Sequence, residues 1–93
     1  MKIASLRLEL YIPGAESLKD KRSVIKSLIQ KCSNKYNISI SEVGELDTWR
    51  RSVIAVAMIS NDYSLIEKSF QKIINYIDTI YEIELMNHDI EYL

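Results

Sequence analysis

The sequence has few of the residues that build covalent, metal-based or glycine-rich sites. Its 93 residues include one cysteine, one histidine, one proline, one tryptophan and two glycines. A single cysteine excludes an intramolecular disulfide and fits a reducing compartment. One histidine and one cysteine are too few for a structural zinc site. Two widely separated glycines exclude the glycine-rich phosphate loops and the GxSxG elbow. We therefore expect no metal, no cofactor and no catalytic residues, and we lean against an enzyme.

Long apolar runs and a strong net charge are also missing. No apolar run approaches 18 residues and the N-terminus lacks a signal-peptide core, so we expect a cytoplasmic protein without a membrane segment. The net charge of −1 excludes a strong basic field over the whole molecule, and a polyanion would need a local patch. The charges are unevenly placed: residues 17–36 carry six cations and one acid, whereas residues 78–93 carry five acids and no Lys or Arg.

Hydrophobic periodicity predicts six elements in one domain, residues 1–93. Strands are predicted at 1–12, 37–43, 52–60 and 81–93. Helices are predicted at 17–36 and from a cap at Asn61 or Asp62 to about Thr79. Pro13-Gly14 predicts a turn in which the glycine is free to take a positive φ. The third strand is apolar on both faces, which is typical of a central strand or an interface. This order predicts an α+β fold, a ferredoxin-like β-α-β-β-α-β sandwich with a four-stranded antiparallel sheet and two helices on one face.

The first predicted helix begins with cations in an unfavourable place. Ser17 and Asp20 form a capping box, but Lys19, Lys21 and Arg22 follow in the first two turns, where the helix dipole disfavours positive charge. We expect the Lys21 stem to lie at the core edge with its ammonium group in water. Three cations around free helical N–H groups would suit a phosphate or another anion. The alternative is that they are solvated or paired with acids elsewhere.

The predicted topology places this helix start beside the polar connection 44–51. That end collects cations, an aromatic ring and acids: Lys19, Lys21, Arg22, Arg50 and Arg51, then Trp49, then Glu42, Glu45 and Asp47. Cations beside an aromatic ring can bind phosphates and stack a base. The same residues could instead form internal ion pairs with Trp49 as a hydrophobic lid, or a protein interface. All three interpretations stay open.

The sequence also allows a homodimer or a small regulatory domain, and it contains two potentially reactive side chains, Cys32 and His88. The outward face of the third strand could form a homodimer interface through Val53, Ala55, Ala57 and Ile59. A small regulatory domain could bind an anionic metabolite at the helix start. Cys32 lies on the apolar arc of the first helix and is expected to be a buried, inert thiol. His88 and Asp89 should point to opposite faces of a strand, which argues against a catalytic pair.

The chain resembles the YlxP-like family of small bacterial proteins in two stretches, IPGAESLKDKRSVIKSL at 12–28 and NKYNISISEVGELDTWRRSVIAVAMIS at 34–60. The resemblance implies a ferredoxin-like fold. The family's genes often neighbour those for translation initiation and ribosome maturation, which implies a connection with RNA or the ribosome. Arg50 departs from the family pattern, where a neutral Gln is usual, so no family role carries over to it. The matching motif residues are Ser17, Leu18, Lys19, Lys21, Arg22, Asn37, Glu42, Asp47, Trp49 and Arg51.

These observations together predict a small non-enzymatic protein that associates with RNA or the ribosome. In this hypothesis Lys19, Lys21, Arg22 and Arg51 contact phosphates, while Trp49 stacks or packs.

Overall fold

A computed structural model describes residues 1–93. The four strands form one sheet in the order β2-β3-β1-β4, with every neighbouring pair antiparallel. The α+β, ferredoxin-like β-α-β-β-α-β order predicted from the sequence is confirmed, and the doubly apolar β3 is an inner strand. The elements are β1 (Lys2–Tyr11), α1 (Leu18–Lys35), β2 (Ser39–Gly44), β3 (Arg51–Ser60), α2 (Tyr63–Asp78) and β4 (Glu84–Tyr92).

The core lies between one face of the sheet and the two helices. Alternation along β1 buries every second side chain, Ala4 to Leu10, almost completely. The helices meet this face with apolar stripes at helical spacing: Ile25, Leu28 and Cys32 from α1, and Ile66, Phe70, Ile73, Ile74 and Ile77 from α2. Burial of each large aliphatic side chain contributes about 1.5–3 kcal/mol. The opposite face of the sheet carries no helix.

Both helices begin where the sequence predicted, and a side chain caps the N-terminus of each. The Ser17 hydroxyl accepts a hydrogen bond from the amide of Asp20 at 3.0 Å. Asp62, rather than Asn61, caps α2, with its carboxylate accepting from the amide of Ser64 at 2.8 Å. These bonds satisfy amides that have no partner within the helix. The predicted capping of α1 by Ser17 is therefore confirmed.

Neither glycine is used for the positive φ that this residue type permits. Neither has a positive φ, so Gly14 does not use its freedom, and the left-handed residue is instead Glu45, with φ of 58°. Gly44 lies beside β3, where an added Cβ would sit 3.0 Å from both Cβ and Cγ2 of Val53. The β2–β3 register also shifts between Glu42 and Gly44. The absence of a side chain at Gly44 therefore avoids a tight contact where two strands approach closely at an irregularity.

The register of β4 decides where the acidic C-terminal segment lies. Glu84 is opposite Tyr11 and Tyr92 is opposite Ala4, with an irregularity between Glu9 and Leu10. β4 therefore begins at the end of the sheet where α1 starts and runs away from it. At the far end, the hydroxyl of Tyr63 donates to the carbonyl oxygen of Leu93 at 2.9 Å, and the Tyr63 and Tyr92 rings meet edge to face.

Candidate functional site

Lys21 is completely buried, although it lies in the first turns of a surface helix. Its Nζ lies 2.8 Å from Oε2 of Glu42 and donates to the carbonyl oxygens of Glu45 at 2.9 Å and Leu46 at 3.4 Å. The expectation that its ammonium group reaches water is wrong, because three acceptors from β2 and the connection after it replace the solvent. Lys21 is thus not available to a ligand.

Glu42 meets Lys21 because of strand alternation. It shares the helix-facing side of β2 with Ile38 and Ile40, which both pack against the core. Its side chain is 16% exposed, and the hydroxyl of buried Ser52 donates to the same Oε2 at 2.7 Å. The carboxylate therefore has both a counter-ion and a neutral donor, which a buried ion pair needs to offset its desolvation.

The β2–β3 loop, residues 45–50, is a compact turn built around this ion pair. The amide of Thr48 donates to the carbonyl oxygen of Glu45 at 3.2 Å, and its hydroxyl donates to Oε2 of Glu45 at 2.7 Å. A left-handed glutamate costs about 1 kcal/mol and persists only where surrounding contacts hold it. The same turn leaves two large apolar side chains more than half in solvent, Leu46 at 51% and Trp49 at 54%.

The second half of the loop is tied to the β1–α1 turn. The amide of Ile12 donates to the carbonyl oxygen of Arg50 at 2.8 Å, and Nε of Arg50 donates to the carbonyl oxygen of Ala15 at 2.9 Å. Arg51 points to the other side of the sheet, where its guanidinium lies 5.6 Å from the centre of the Tyr11 ring. The two neighbouring arginines are therefore on different surfaces, and Arg50 has part of its donor capacity in use.

Lys19 and Arg22 remain exposed on the flank of α1 that faces this loop. Arg22 makes a loose pair with Asp47, with 3.5 Å between Nη2 and Oδ1 and side chains that are 58% and 92% exposed. Pairs of this kind contribute about 0–1 kcal/mol and are screened by salt. Lys19 makes no ion pair. Lys26, one turn further on, is also exposed on this flank.

The other flank of the same helix start is acidic. Asp20 turns its carboxylate back to accept from the amide of Glu16 at 3.0 Å. A shallow pocket beside it is lined by the 12–15 turn together with Asp20, Tyr81, Glu82 and Glu84. An anion placed on the helix axis would meet these carboxylates. The two flanks of the helix start thus differ: the exposed cations of α1 lie toward the β2–β3 loop, which itself carries the exposed Glu45 and Asp47, whereas the flank toward β4 carries only acids.

The open face of the sheet combines small apolar residues with a charged network. Arg7 pairs with Glu9 at 3.0 Å, and hydrogen bonds from Arg7 and Asn87 hold the pKa of Glu9 below its usual value. On β3, Val53 is buried and Ala55 half-buried, whereas Ala57 and Ile59 are exposed. The four residues predicted for a dimer interface therefore share one face, but only its outer half is accessible.

The chemically reactive side chains lie apart from this end and from each other. Cys32 is buried in the core as predicted, and burial raises the pKa of its thiol. His88 is exposed on β4 opposite Leu8, while Asp89 is opposite Arg7 on the other face. No group of three histidine, cysteine or acidic side chains is arranged to hold a metal ion. Neither helix combines the length and the apolar character needed to cross a bilayer.

Sequence reasoning predicted that the start of α1 and the β2–β3 loop are neighbours, as the structure shows, but it missed two residues that lie there. Ser52 completes the Lys21–Glu42 pair, and its helix-facing position in an apolar strand could have marked it. Leu46 is an exposed apolar residue in a polar loop, a contrast that the sequence does display. The six predicted ligand-binding residues divide into the buried Lys21, the exposed Lys19 and Arg22 on α1, the exposed Trp49 and Arg50 in the loop, and Arg51, which is exposed on the other side of the sheet.

Comparison with known proteins identifies the family of this chain. Residues 3–90 match the model of a family described as a protein of unknown function, DUF503. The chain is also similar to the uncharacterized protein YlxP of Bacillus subtilis (strain 168), with 42% identity over 76 residues, which cover 82% of this chain and 83% of that protein. Both matches span most of the chain. The family match includes the β1–α1 turn, α1 and the β2–β3 loop. The chain therefore belongs to the DUF503 family, the family of YlxP.

Proposed function

We propose that this chain is a small, non-enzymatic cytoplasmic protein that associates with RNA or the ribosome through the basic rim. We define the basic rim as the exposed Lys19, Arg22 and Lys26 on α1 together with Trp49 and Arg50 of the loop. The observation that carries the proposal is the lone tryptophan, which stands 54% exposed beside cations that internal ion pairs do not consume. Exposed cations attract phosphates, and an exposed aromatic ring can stack on an unpaired base.

Internal ion pairing accounts for only part of the cations at this end. Lys21 is neutralised by Glu42, so its place near the helix start is explained within the fold. Lys19 has no partner and Arg22 has one loose, highly exposed partner. Both sit where the helix dipole costs a few tenths of a kcal/mol; no ion pair offsets that cost for Lys19, and only the exposed pair with Asp47 offsets it for Arg22. An anionic partner would offset it.

The acidic flank argues for a polymer that follows the rim rather than a small anion on the helix axis. The Asp20 carboxylate already accepts from a backbone amide there, and Glu82 and Glu84 lie beside it. A metabolite phosphate at the axis would be repelled by these groups. A strand that runs along the α1 flank and over Trp49 would keep away from them.

The test compares RNA and ribosomal-subunit binding across a potassium chloride titration for two matched variants. Lys19→Ala/Arg22→Ala removes two rim cations, and Lys68→Ala/Lys72→Ala removes two exposed cations from α2. For a single strand, the slope of log affinity against log salt should become shallower by about 1.4 in the first variant, at about 0.7 per lost contact. The α2 variant should keep the wild-type slope. Absence of binding at low salt, or equal slopes in both variants, would reject the proposal.

A homodimer through the open sheet face is the second candidate, favoured by one observation. Ile59 is 53% exposed and lies opposite Ile3 in the β1–β3 pairing, which gives an apolar corner on a face that no helix covers. In this candidate Val53, Ala55, Ala57 and Ile59 meet the same residues of a second copy. Sedimentation across a wide concentration range should show a dimer that Ile59→Lys abolishes. Leu65→Lys, at an equally exposed leucine on α2, should leave it intact, and a monomer throughout would reject the candidate.

A further inference from the structure

The β2–β3 loop is fixed at both of its ends by contacts that do not involve its exposed side chains. At its start, the buried Lys21 ammonium holds the carbonyl oxygens of Glu45 and Leu46. At its end, Arg50 is bonded through its carbonyl oxygen to Ile12 and through its guanidinium to Ala15. Trp49 is placed between these two anchors, and its backbone therefore has little freedom although its ring is exposed.

We propose that the loop is a preformed platform for an unpaired RNA base, with Trp49 as the stacking surface and Lys21 as the residue that positions it. This inference rests on the proposed function for its ligand, but not for the role of Lys21. Lys21 touches no phosphate, because its side chain is 0% exposed. It acts through the loop backbone, which it holds in the turn that projects Trp49.

A preformed platform explains why a buried charge is placed where an apolar residue would fill the space. A well-packed apolar residue there would often be equally stabilising or more so. An apolar side chain cannot donate to the carbonyl oxygens of Glu45 and Leu46, and it cannot hold a left-handed glutamate. A loop that is ordered before binding also loses less conformational entropy when a base stacks on it.

An unpaired nucleotide fits this platform better than a duplex. Bases in an A-form helix present only their edges, whereas loops and single strands expose the flat face that an indole ring covers. Three exposed cations of the rim lie on α1, Lys19, Arg22 and Lys26, and the fourth, Arg50, lies in the loop next to Trp49. A single strand could therefore lay its backbone along α1 and place one base on Trp49.

The first arm of the test measures the loop without RNA. In Lys21→Met/Glu42→Gln the charges are removed together, while the glutamine can still accept from Ser52. The amide of Thr48, which donates to the carbonyl oxygen of Glu45 within the turn, should then exchange with deuterium about 10 to 100 times faster, as expected for loss of one or two charge-assisted hydrogen bonds that hold the turn. Time-resolved anisotropy of the single tryptophan should fall in parallel. The control is Arg22→Met/Asp47→Asn, which removes an exposed pair between the same helix and loop and should change neither signal.

The second arm measures affinity for a single-stranded oligonucleotide and for a duplex of the same sequence. The wild type should prefer the single strand. Lys21→Met/Glu42→Gln should bind it about tenfold more weakly with an unchanged salt slope, and Trp49→Ala should lose about 10- to 100-fold, also without a change in slope. A changed slope would make Lys21 a phosphate contact and overturn the positioning role.

The two arms fail separately. Unchanged loop exchange in Lys21→Met/Glu42→Gln overturns the positioning role even if RNA binds. Faster exchange without any RNA binding by the wild type overturns the proposed function and the base platform, and establishes Lys21 as the organiser of a loop with another partner. Equal affinity for duplex and single strand overturns the unpaired base as the ligand.

Discussion

Glu42→Gln should destabilise the protein more than Lys21→Met, although the two changes break the same ion pair. Removal of one partner of a buried pair costs about 3–5 kcal/mol, because the other charge stays buried without compensation. After Glu42→Gln, the ammonium is 0% exposed and keeps only neutral acceptors, the carbonyl oxygens of Glu45 and Leu46, so we expect about 3–5 kcal/mol. After Lys21→Met, the abandoned carboxylate is 16% exposed and still accepts from Ser52, so we expect about 2–3 kcal/mol.

The double variant Lys21→Met/Glu42→Gln should recover most of this loss. It leaves no buried charge, it keeps the stem volume of the lysine, and its glutamine can still accept from Ser52. We expect a free energy of unfolding within about 1–2 kcal/mol of the wild type, since replacing a whole buried pair is often close to neutral. The coupling energy of the cycle should therefore be about 3–7 kcal/mol, at or above the upper end of what contacting residues show.

Urea unfolding followed by far-ultraviolet circular dichroism measures all four proteins, with the m-value as the check on two-state behaviour. Arg22→Met/Asp47→Asn, across the exposed pair at 3.5 Å, provides the comparison cycle and should give a coupling energy below about 1 kcal/mol. Additive costs in the Lys21–Glu42 cycle would show that the pair is not buried as described. A larger loss for Lys21→Met than for Glu42→Gln would refute the reasoning from exposure.

Two further predictions concern packing. Gly44→Ala places a Cβ 3.0 Å from Val53 and should cost about 1–3 kcal/mol in urea unfolding, whereas Gly14→Ala meets nothing within 4 Å and should change stability by about 0.5 kcal/mol or less; equal costs would contradict the close approach. Because burial raises the pKa of the Cys32 thiol above its ordinary 9.0, the folded protein should resist alkylation at pH 8. The thiol's contribution to stability should be complete below pH 9 and fall as the pH rises further, a loss that Cys32→Ala should lack. Fast alkylation of the native state would contradict this placement.

The helices and strands could be predicted from the sequence, but the conformation of the β2–β3 loop could not. Period-two alternation along residues 1–12 and an apolar pattern on both faces of β3 determined the faces and the centre of the sheet. The preference of glycine for a positive φ suggested Gly14 as the left-handed residue, but that conformation occurs at Glu45. That position depends on how the turn meets Lys21 and Thr48, which are contacts across 24 and 3 residues respectively. Local propensity contains no information about the longer of these contacts.

The Lys21–Glu42 pair was within reach of the sequence, since two separate periodicities point to it. Helical spacing puts Lys21 next to the apolar arc of α1, and strand alternation puts Glu42 on the same side of β2 as Ile40. In a sandwich these two faces are opposed, so a cation on one and a carboxylate on the other can meet, reach solvent at the edge of the core, or be desolvated alone. The last outcome costs several kcal/mol, and the structure realises the first, with 2.8 Å between Nζ of Lys21 and Oε2 of Glu42.

Once Lys21 is assigned to the interior, the unfavourable charges at the helix start reduce to Lys19 and Arg22. This changes what a functional experiment must vary. A variant that also replaced Lys21 would lose binding through unfolding or a loosened loop, and that loss would resemble the loss of a phosphate contact. Only the salt slope separates the two causes, because counter-ion release follows the number of phosphates neutralised and not the order of the loop. Lys19 and Arg22 should therefore be changed together, with Lys21 left in place, since their charges are exposed and their removal leaves the interior of the protein unchanged.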